Sequence, residues 1–288
     1  MSSPTMGKCC VCGKETKDRC GACAKAGFDL FFCSREHQKL VWFAHKLVCG
    51  PKSKPFSFPP LSKTEVERAK SSLHVPYPVA DGTVVTLAED ITTVCKEVGP
   101  HLLPYMPSPE ALVSNLEEGQ SPLPGLHPEL HYRLRCQVRD TLHVLTYNRL
   151  NEPYDKGGPR SAEEKAALLL DHFRPLELCA SFAGSVGMRL RPHSRPMLPT
   201  REDWYIEIQH GALVFAALRF ARYQALLSHY ADSARSPLPD RVTELDRYIA
   251  HNVARMHALA EAISGEEEKK AVLAGFGALK LAKMTPGV

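Results

Sequence analysis

Eight cysteine and histidine side chains recur in closely spaced pairs near the start of the chain. The four pairs are Cys9-x2-Cys12, Cys20-x2-Cys23, Cys33-x3-His37 and His45-x3-Cys49. Zn²⁺ prefers thiolate sulfur and imidazole nitrogen as ligands, and a structural zinc site takes four of them in a tetrahedron. The spacing therefore predicts two structural zinc ions, because eight ligands fill two closed sites and leave no position for a substrate.

A disulfide framework is the alternative explanation for so many cysteines in a short stretch. The chain opens without an apolar signal segment, so we expect an intracellular protein whose thiols stay reduced. Disulfides would also leave the spacing of His37 and His45 unexplained. One further thiol, Cys10, directly follows Cys9 and could replace it as a ligand only if the turn shifted by one residue. We treat Cys10 as spare.

The elements that position these ligands depend on the metal. Residues 9–49 are too few to bury enough apolar surface, so zinc binding has to supply their folding free energy. Two sequential sites and an interleaved cross-brace would both use all eight ligands. Ser34 has the residue type of a helix N-cap, with Glu36 and His37 in the first turn. The predicted helix would join the third and fourth pairs, which favours the cross-brace.

The pattern C-x2-C-x7-C-x2-C-x9-C-x3-H-Q-x3-W-x2-H-K-x2-C resembles the MYND zinc finger, a protein-interaction module, over residues 9–49. The resemblance implies that the first and third pairs share one zinc and that the second and fourth pairs share the other. Carried over by position, the ligands of site 1 are Cys9, Cys12, Cys33 and His37, and those of site 2 are Cys20, Cys23, His45 and Cys49. The family usually has a cysteine where this chain has His37.

Gln38 and Trp42 also match the family pattern, in which these positions help to line a shallow groove for proline-rich peptides. A flat indole can stack on proline rings, and a side-chain amide can bond the free carbonyls of a polyproline II segment. The resemblance therefore implies that Gln38 and Trp42 bind a partner protein. The alternative for Trp42 is that its indole fills the small core between the two zinc sites.

Residues 50–62 read as a proline-rich linker between the finger and the rest of the chain. Gly50 ends the predicted helix, and the prolines that follow prevent both a helix and a central strand. Phe58-Pro59-Pro60-Leu61 is itself a peptide of the kind that such a groove would accept. One hypothesis is that this segment docks intramolecularly and masks the groove; the other is that it is an ordinary semi-rigid linker.

Beyond residue 62 the apolar residues recur at helical spacing almost throughout. The predicted helices cover about 64–73, 87–98, 110–116, 129–150, 162–173, 175–188, 200–230, 238–263 and 266–283. Ser161 and Thr200 are the predicted N-caps of two of them. We therefore predict a flexible N-terminus (1–8), a small two-zinc cross-brace finger (9–49), the linker (50–62) and one helical domain (63–288). The helical domain should be an all-α bundle or an irregular helical array.

The composition excludes several functional classes. The formal net charge is +4, and residues 1–54 hold ten Lys and Arg against four Asp and Glu. Six zinc-bound thiolates and two zinc dications together lower that excess from +6 to about +4, and no element resembles a base-reading helix, so we expect no specific nucleic-acid binding. No apolar run is long enough to span a bilayer. The predicted localisation is nuclear or cytoplasmic.

Catalytic motifs are weak outside the finger. Some proteins with a similar finger are SET-type lysine methyltransferases, but their mostly β domain begins before the finger, and no cofactor motif of that domain is found here. Gly184-Ser185-Val186-Gly187 lacks the spacing of a nucleophile elbow, and the pair His127 and His131 is not an H-E-x-x-H motif. Three further histidines, His210, His251 and His257, are single residues on helices, and we expect them at surface or edge positions.

The sequence therefore predicts a non-enzymatic adaptor. Its finger would recruit proline-rich partner proteins, and its helical domain would bind a second partner or set the oligomeric state. One alternative is an enzyme with an unrecognised site in the helical domain. Another is a finger that serves only as a structural cap on the helices.

Overall fold

A computed structural model describes residues 6–50, 58–78, 82–98, 104–120, 128–153, 156–159, 161–190, 203–232 and 240–281. This part of the chain contains eleven helices and four two-residue strands, so the prediction of a small finger followed by an all-α array is confirmed. Among the described residues, no helix is both long and apolar enough to cross a membrane.

The elements follow the order of the predicted helices closely. The strands are β1 (Gly7–Lys8), β2 (Glu15–Thr16), β3 (Tyr77–Pro78) and β4 (Val84–Val85). The helices are α1 (Gly21–Lys25), α2 (Arg35–His45), α3 (Lys63–Ser71), α4 (Leu87–Val98), α5 (Pro109–Asn115), α6 (Pro128–Asn151), α7 (Ala162–His172), α8 (Pro175–Leu190), α9 (Asp203–Asp232), α10 (Asp240–Glu261) and α11 (Glu266–Leu281). Gly7 and Lys8, assigned above to a flexible N-terminus, instead pair with Thr16 and Glu15 as an antiparallel ladder.

Side-chain caps mark the start of several helices. The Ser34 hydroxyl accepts from the His37 backbone N–H, as predicted for α2. Ser62 and Glu65 form a complete capping box at the start of α3. The Glu164 backbone N–H donates to the Ser161 hydroxyl at 3.0 Å, as predicted for α7. The predicted cap Thr200 and the predicted helix end at 283 lie outside the described residues.

The chain divides into two compact units. Unit 1 comprises Met1–Phe56, Ala166–Cys179 and Pro199–Leu273. Within it, α2 packs on α9, and α9 packs along α10. The two long helices approach closely at Gly211, where a Cβ atom would lie 2.7 Å from Met256 Cγ. A larger residue at this position would therefore force the buried Met256 side chain to shift.

Unit 2 comprises Ser57–Lys165, Ala180–Leu198 and Ala274–Val288. Its main apolar core is formed by α3, α4, α5 and α6, together with Leu61. The β3–β4 hairpin precedes α4, and the Tyr77 hydroxyl reaches Asp90 and Thr141 beneath it. The division into two units differs from the single helical domain predicted for 63–288, because the segments around α7, α9 and α10 group with the finger.

The segment Phe58–Leu61 is anchored inside unit 2. Phe58 and Leu61 are buried, and the Phe58 ring packs against Tyr132 with 5.8 Å between centroids. The buried Arg139 side chain donates to the carbonyls of Pro59 (3.0 Å) and Pro60 (3.2 Å) and pairs with Glu65 at 2.7 Å. Phe58, Leu61 and the carbonyls of Pro59 and Pro60 are therefore engaged within unit 2, whereas the Pro59 ring is partly exposed and the Pro60 ring is exposed. The hypothesis that the segment masks the groove of the finger stays a prediction. The rest of the predicted linker, 51–57, lies outside the described residues.

Candidate metal centre

The first pair of ligands lies on a tight turn between β1 and β2. The Cys9 backbone N–H donates to the Lys14 carbonyl, and the Gly13 N–H donates to the Cys9 carbonyl, each at 2.9 Å. Gly13 closes this turn with φ +77°, a conformation that glycine adopts without strain. The turn brings Cys9 and Cys12 to the same side and so forms half of a zinc site.

The second pair lies at the short helix α1. Cys20 precedes the helix, and its backbone N–H donates to the Leu30 carbonyl at 2.9 Å. Cys23 lies within the helix and is fully buried. The Phe28 N–H returns to the Cys23 carbonyl at 3.0 Å, which closes the turn after α1.

Helix α2 carries one histidine at each end. His37 lies in its first turn and His45 is its last residue, while Cys33 and Cys49 flank the helix on either side. The helix buries Val41, Ala44 and His45 and exposes the opposite face. Because α2 holds a ligand for each metal, the two sites are joined by one rigid element.

Site 1 is formed by Cys9, Cys12, Cys33 and His37, whose ligand atoms all lie within 4.8 Å of one another. The Sγ atoms of Cys12 and Cys33 are 3.5 Å apart, and His37 Nδ1 lies 3.5 Å from Cys9 Sγ and 3.2 Å from Cys33 Sγ. A tetrahedral zinc with ordinary Zn–S and Zn–N bonds separates its ligands by about 3.5 to 3.8 Å. The four side chains therefore fit a zinc ion, with His37 binding through Nδ1.

Site 2 is formed by Cys20, Cys23, His45 and Cys49, again with all ligand atoms within 4.8 Å. The Sγ atoms of Cys20 and Cys49 are 3.6 Å apart. Here His45 uses its other nitrogen, Nε2, which lies 3.4 Å from Cys20 Sγ and 3.7 Å from Cys23 Sγ. The first and third pairs meet in one site and the second and fourth in the other, which is the cross-brace that the resemblance implied.

The pKa shifts within the two groups of ligands also favour the binding of a dication. Burial, followed by the neighbouring thiols of Cys12 and Cys9, raises the pKa of Cys33 to about 12, because thiolates so close together repel one another. Burial alone lowers the pKa of His45 to about 4, so this imidazole is neutral and has a lone pair for a metal. A zinc ion stabilises the thiolate form of the cysteines and accepts the imidazole lone pair.

Cys10 lies outside both groups. Its side chain is buried, and its thiol donates to the Phe31 carbonyl at 2.8 Å. Burial raises the pKa of Cys10 to about 12, against the opposing charge of Arg255. The thiol therefore packs as a small neutral side chain that satisfies one backbone carbonyl.

The family model described as the MYND finger matches residues 9–49, and the two groups of ligands fit it. The chain thus carries a MYND-type zinc finger with two structural zinc sites of the Cys3His type, a zinc-binding protein-interaction domain. No curated protein and no solved structure matched the chain.

The two predicted partner-binding residues lie on the accessible side of α2. Trp42 is 44% exposed and Gln38 is partly exposed, and they are separated by four residues on the same helical face. The inner edge of the indole contacts His45, with 5.6 Å between the ring centroids. Trp42 therefore covers site 2 and presents the rest of its ring to the surface.

The weak catalytic motif and the single histidines named from the sequence lie within helices. Gly184-Ser185-Val186-Gly187 lies inside α8, so it does not form the strand-turn-helix of a nucleophile elbow. His210 is buried and stacks on Phe28 at 4.5 Å, so the surface or edge position expected for it is wrong. His131 lines a cavity of about 250 Å³ in unit 2, beside Arg135 and Glu117, while His127 lies outside the described residues.

Two residues of α10 that pack against site 1 could not be identified from the sequence. Tyr248 contacts His37, and the His251 ring covers Gly13, where a Cβ atom would approach within 2.4 Å of His251 Cε1. Their spacing of three residues places both on one face of α10. No local pattern signals these contacts, because they join positions more than two hundred residues apart.

Proposed function

We propose that this protein is an adaptor whose finger binds proline-rich segments of partner proteins through Gln38 and Trp42. The observation that carries the proposal is the exposure of Trp42. A large aromatic side chain that is 44% exposed on the surface of the finger is an anchor of the kind that recognises proline rings. The proposed role involves no catalytic step, and it fits the reducing environment of the nucleus or cytoplasm.

The charges around Trp42 refine the class of partner. Arg35, Lys39 and Lys46 are exposed and lie at i, i+4 and i+11, in line with Trp42 at i+7. This face of α2 therefore presents an indole flanked on both sides by positive charge. A proline-rich segment with acidic residues next to the prolines would complement it better than a basic one.

The test is an affinity capture from cell extract, read by mass spectrometry, with the full chain and its Trp42→Ala variant. Both proteins must first be shown to hold two zinc ions. A matched control is Tyr105→Ala, because Tyr105 is another exposed aromatic residue (86%) and lies in unit 2. We expect a set of partners with proline-rich, acid-flanked segments to disappear with Trp42 and to persist with Tyr105→Ala. Identical partner sets for the full chain and Trp42→Ala would contradict the proposal.

A second role is favoured by the contacts of the finger within unit 1. Phe28 stacks on His210 of α9, and Phe43 packs against Phe220 of α9 at 5.0 Å. The finger thereby covers apolar surface of the long helices and also acts as a structural cap. A Phe43→Ser variant should lower the melting temperature of the protein without changing its partners. Trp42→Ala should change the partners and lower the melting temperature much less.

A further inference from the structure

The His37 side chain of site 1 has two ring nitrogens with separate tasks. Nδ1 faces the sulfur atoms of Cys9 and Cys33, at 3.5 and 3.2 Å. Nε2 points the other way and lies 3.0 Å from the hydroxyl oxygen of Tyr248 on α10. When Nδ1 binds a metal, the neutral imidazole carries its proton on Nε2, so Nε2–H donates to Tyr248.

The hydrogen-bond chain continues beyond Tyr248. The Tyr248 hydroxyl donates to Glu244 Oε1 at 2.5 Å, one helical turn away. The other carboxylate oxygen of Glu244 accepts from Arg241 Nη1 at 2.6 Å. In this series of hydrogen bonds, His37 Nε2–H donates to Tyr248 and the Tyr248 hydroxyl donates to Glu244. The direction of donation therefore runs from the imidazole to a carboxylate.

A second contact fixes α10 over the same site. His251, three residues after Tyr248, packs over Gly13 in the turn that joins the first two ligands. Substitution of Gly13 would be disfavoured twice, by its φ of +77° and by the His251 ring. One face of α10 therefore contacts both the turn of the first pair and the histidine of the third pair.

We propose that α10 is a functional part of zinc site 1, with Tyr248 as a positioning residue for the metal-binding ring of His37 and Glu244 as the acceptor that orients Tyr248. Hydrogen bonds of this kind fix the ring orientation and make the ligating nitrogen more basic. A thiolate in place of His37 would have no second donor to offer. The zinc affinity of this finger thus depends on a helix that lies outside residues 9–49.

The experiment measures the transfer of zinc from the full chain to a chromophoric chelator. Tyr248→Phe removes one hydroxyl and keeps the ring that packs edge-on against His37 at 5.0 Å, so the fold is preserved. We expect the affinity of site 1 for zinc to fall about tenfold, at the lower end of the range for such hydrogen bonds, while that of site 2 is unchanged. Glu244→Gln should also lower the affinity of site 1 for zinc, but by less than Tyr248→Phe does.

The decisive control is the double variant. His37→Cys supplies a ligand without a ring N–H. Because only site 1 is altered, the phase of zinc transfer that changes in this variant is the one that belongs to site 1. Adding Tyr248→Phe to His37→Cys should change neither zinc affinity, because the positioned ring is gone. The proposal is overturned if Tyr248→Phe leaves both affinities within twofold of the unmodified chain, lowers both equally, or still lowers the affinity of site 1 in the His37→Cys background.

Discussion

The two zinc sites have the same ligand types but hold their histidines in opposite ways. At site 1, His37 binds through Nδ1 and its Nε2 is bonded to Tyr248. At site 2, His45 binds through Nε2, and its Nδ1 is buried without a hydrogen-bond partner among the described residues. Site 1 is also the more open of the two, since its Cys12, Cys33 and His37 are partly exposed.

Packing replaces the missing hydrogen bond at site 2. The His45 ring lies 5.6 Å from the rings of both Phe32 and Trp42 and 6.5 Å from that of His210, centroid to centroid. Its orientation is therefore set by the shape of an aromatic pocket rather than by a directional bond. One finger therefore fixes two equivalent ligands by different means, a hydrogen-bond chain at one site and close packing at the other.

The largest difference is expected on removal of a thiolate from each site. Cys23→Ala takes a fully buried ligand from site 2 and should unfold the finger, because the folding free energy that zinc supplies is on the order of 10 kcal/mol. Cys33→Ala takes a partly exposed ligand and should lose the zinc of site 1 while keeping that of site 2. Native mass spectrometry and far-UV circular dichroism measure both. Equal zinc loss in the two variants would show that the burial of the ligand does not distinguish the two sites.

The next largest difference is expected when each of the two histidines is replaced singly by cysteine. In His45→Cys the smaller thiol leaves a void among the surrounding rings, and the free energy of unfolding should fall by about 2 to 4 kcal/mol. His37→Cys, at a partly exposed position, should cost less than about 1 kcal/mol. Denaturant unfolding with saturating zinc compares them. A larger loss for His37→Cys would show that packing is not what holds His45.

Acidification should destabilise the zinc-loaded finger. Zinc binding keeps the six cysteines as thiolates and the two histidines neutral, whereas in an unfolded chain cysteine (pKa about 8.5) and histidine (about 6.5) take up protons below those values. The unfolded state therefore binds more protons than the zinc-loaded state, so the free energy of unfolding should fall as the pH is lowered from about 7 to about 4. His45→Cys should make this fall steeper near pH 7, because the added thiol takes up a proton over the whole range and the imidazole only below about pH 6.5. The measurement is the free energy of unfolding at fixed total zinc, and a flatter slope for His45→Cys would contradict its role as a ligand.

The positions of the helices and of the zinc ligands could be predicted from local signals. Ser34 and Ser161 cap helices where expected, and α4 has the predicted bounds of 87–98. The eight ligands followed from spacing, because zinc demands a fixed number of donors. In each case the physical cause lies within a few residues of the feature.

Long-range contacts could not be predicted in this way. The sequence of Phe58–Leu61 reads as an exposed proline-rich linker, and only the fold brings Arg139 to its carbonyls. The link between His37 and Tyr248 likewise depends on how α10 packs on the finger. The buried His210 was assigned to the surface because a single histidine gives no sign that Phe28 will cover it.

The smallest effect is expected for the stability of the Trp42→Ala variant. The indole contacts His45 with one edge and is otherwise exposed, so the free energy of unfolding should fall by about 1 kcal/mol or less. Both zinc ions should remain, as counted by native mass spectrometry. A loss of the zinc at site 2 would mean that Trp42 is a core residue of the finger, as its alternative interpretation holds.

The interleaved pairing of ligands can be tested by ¹¹³Cd NMR of the full chain with cadmium in place of zinc. Each of two cadmium resonances should couple to the β-protons of three cysteines. We predict that one resonance correlates with Cys9, Cys12 and Cys33, and the other with Cys20, Cys23 and Cys49. A resonance that correlates with Cys9, Cys12, Cys20 and Cys23 together would contradict the cross-brace, and with it the account of both sites.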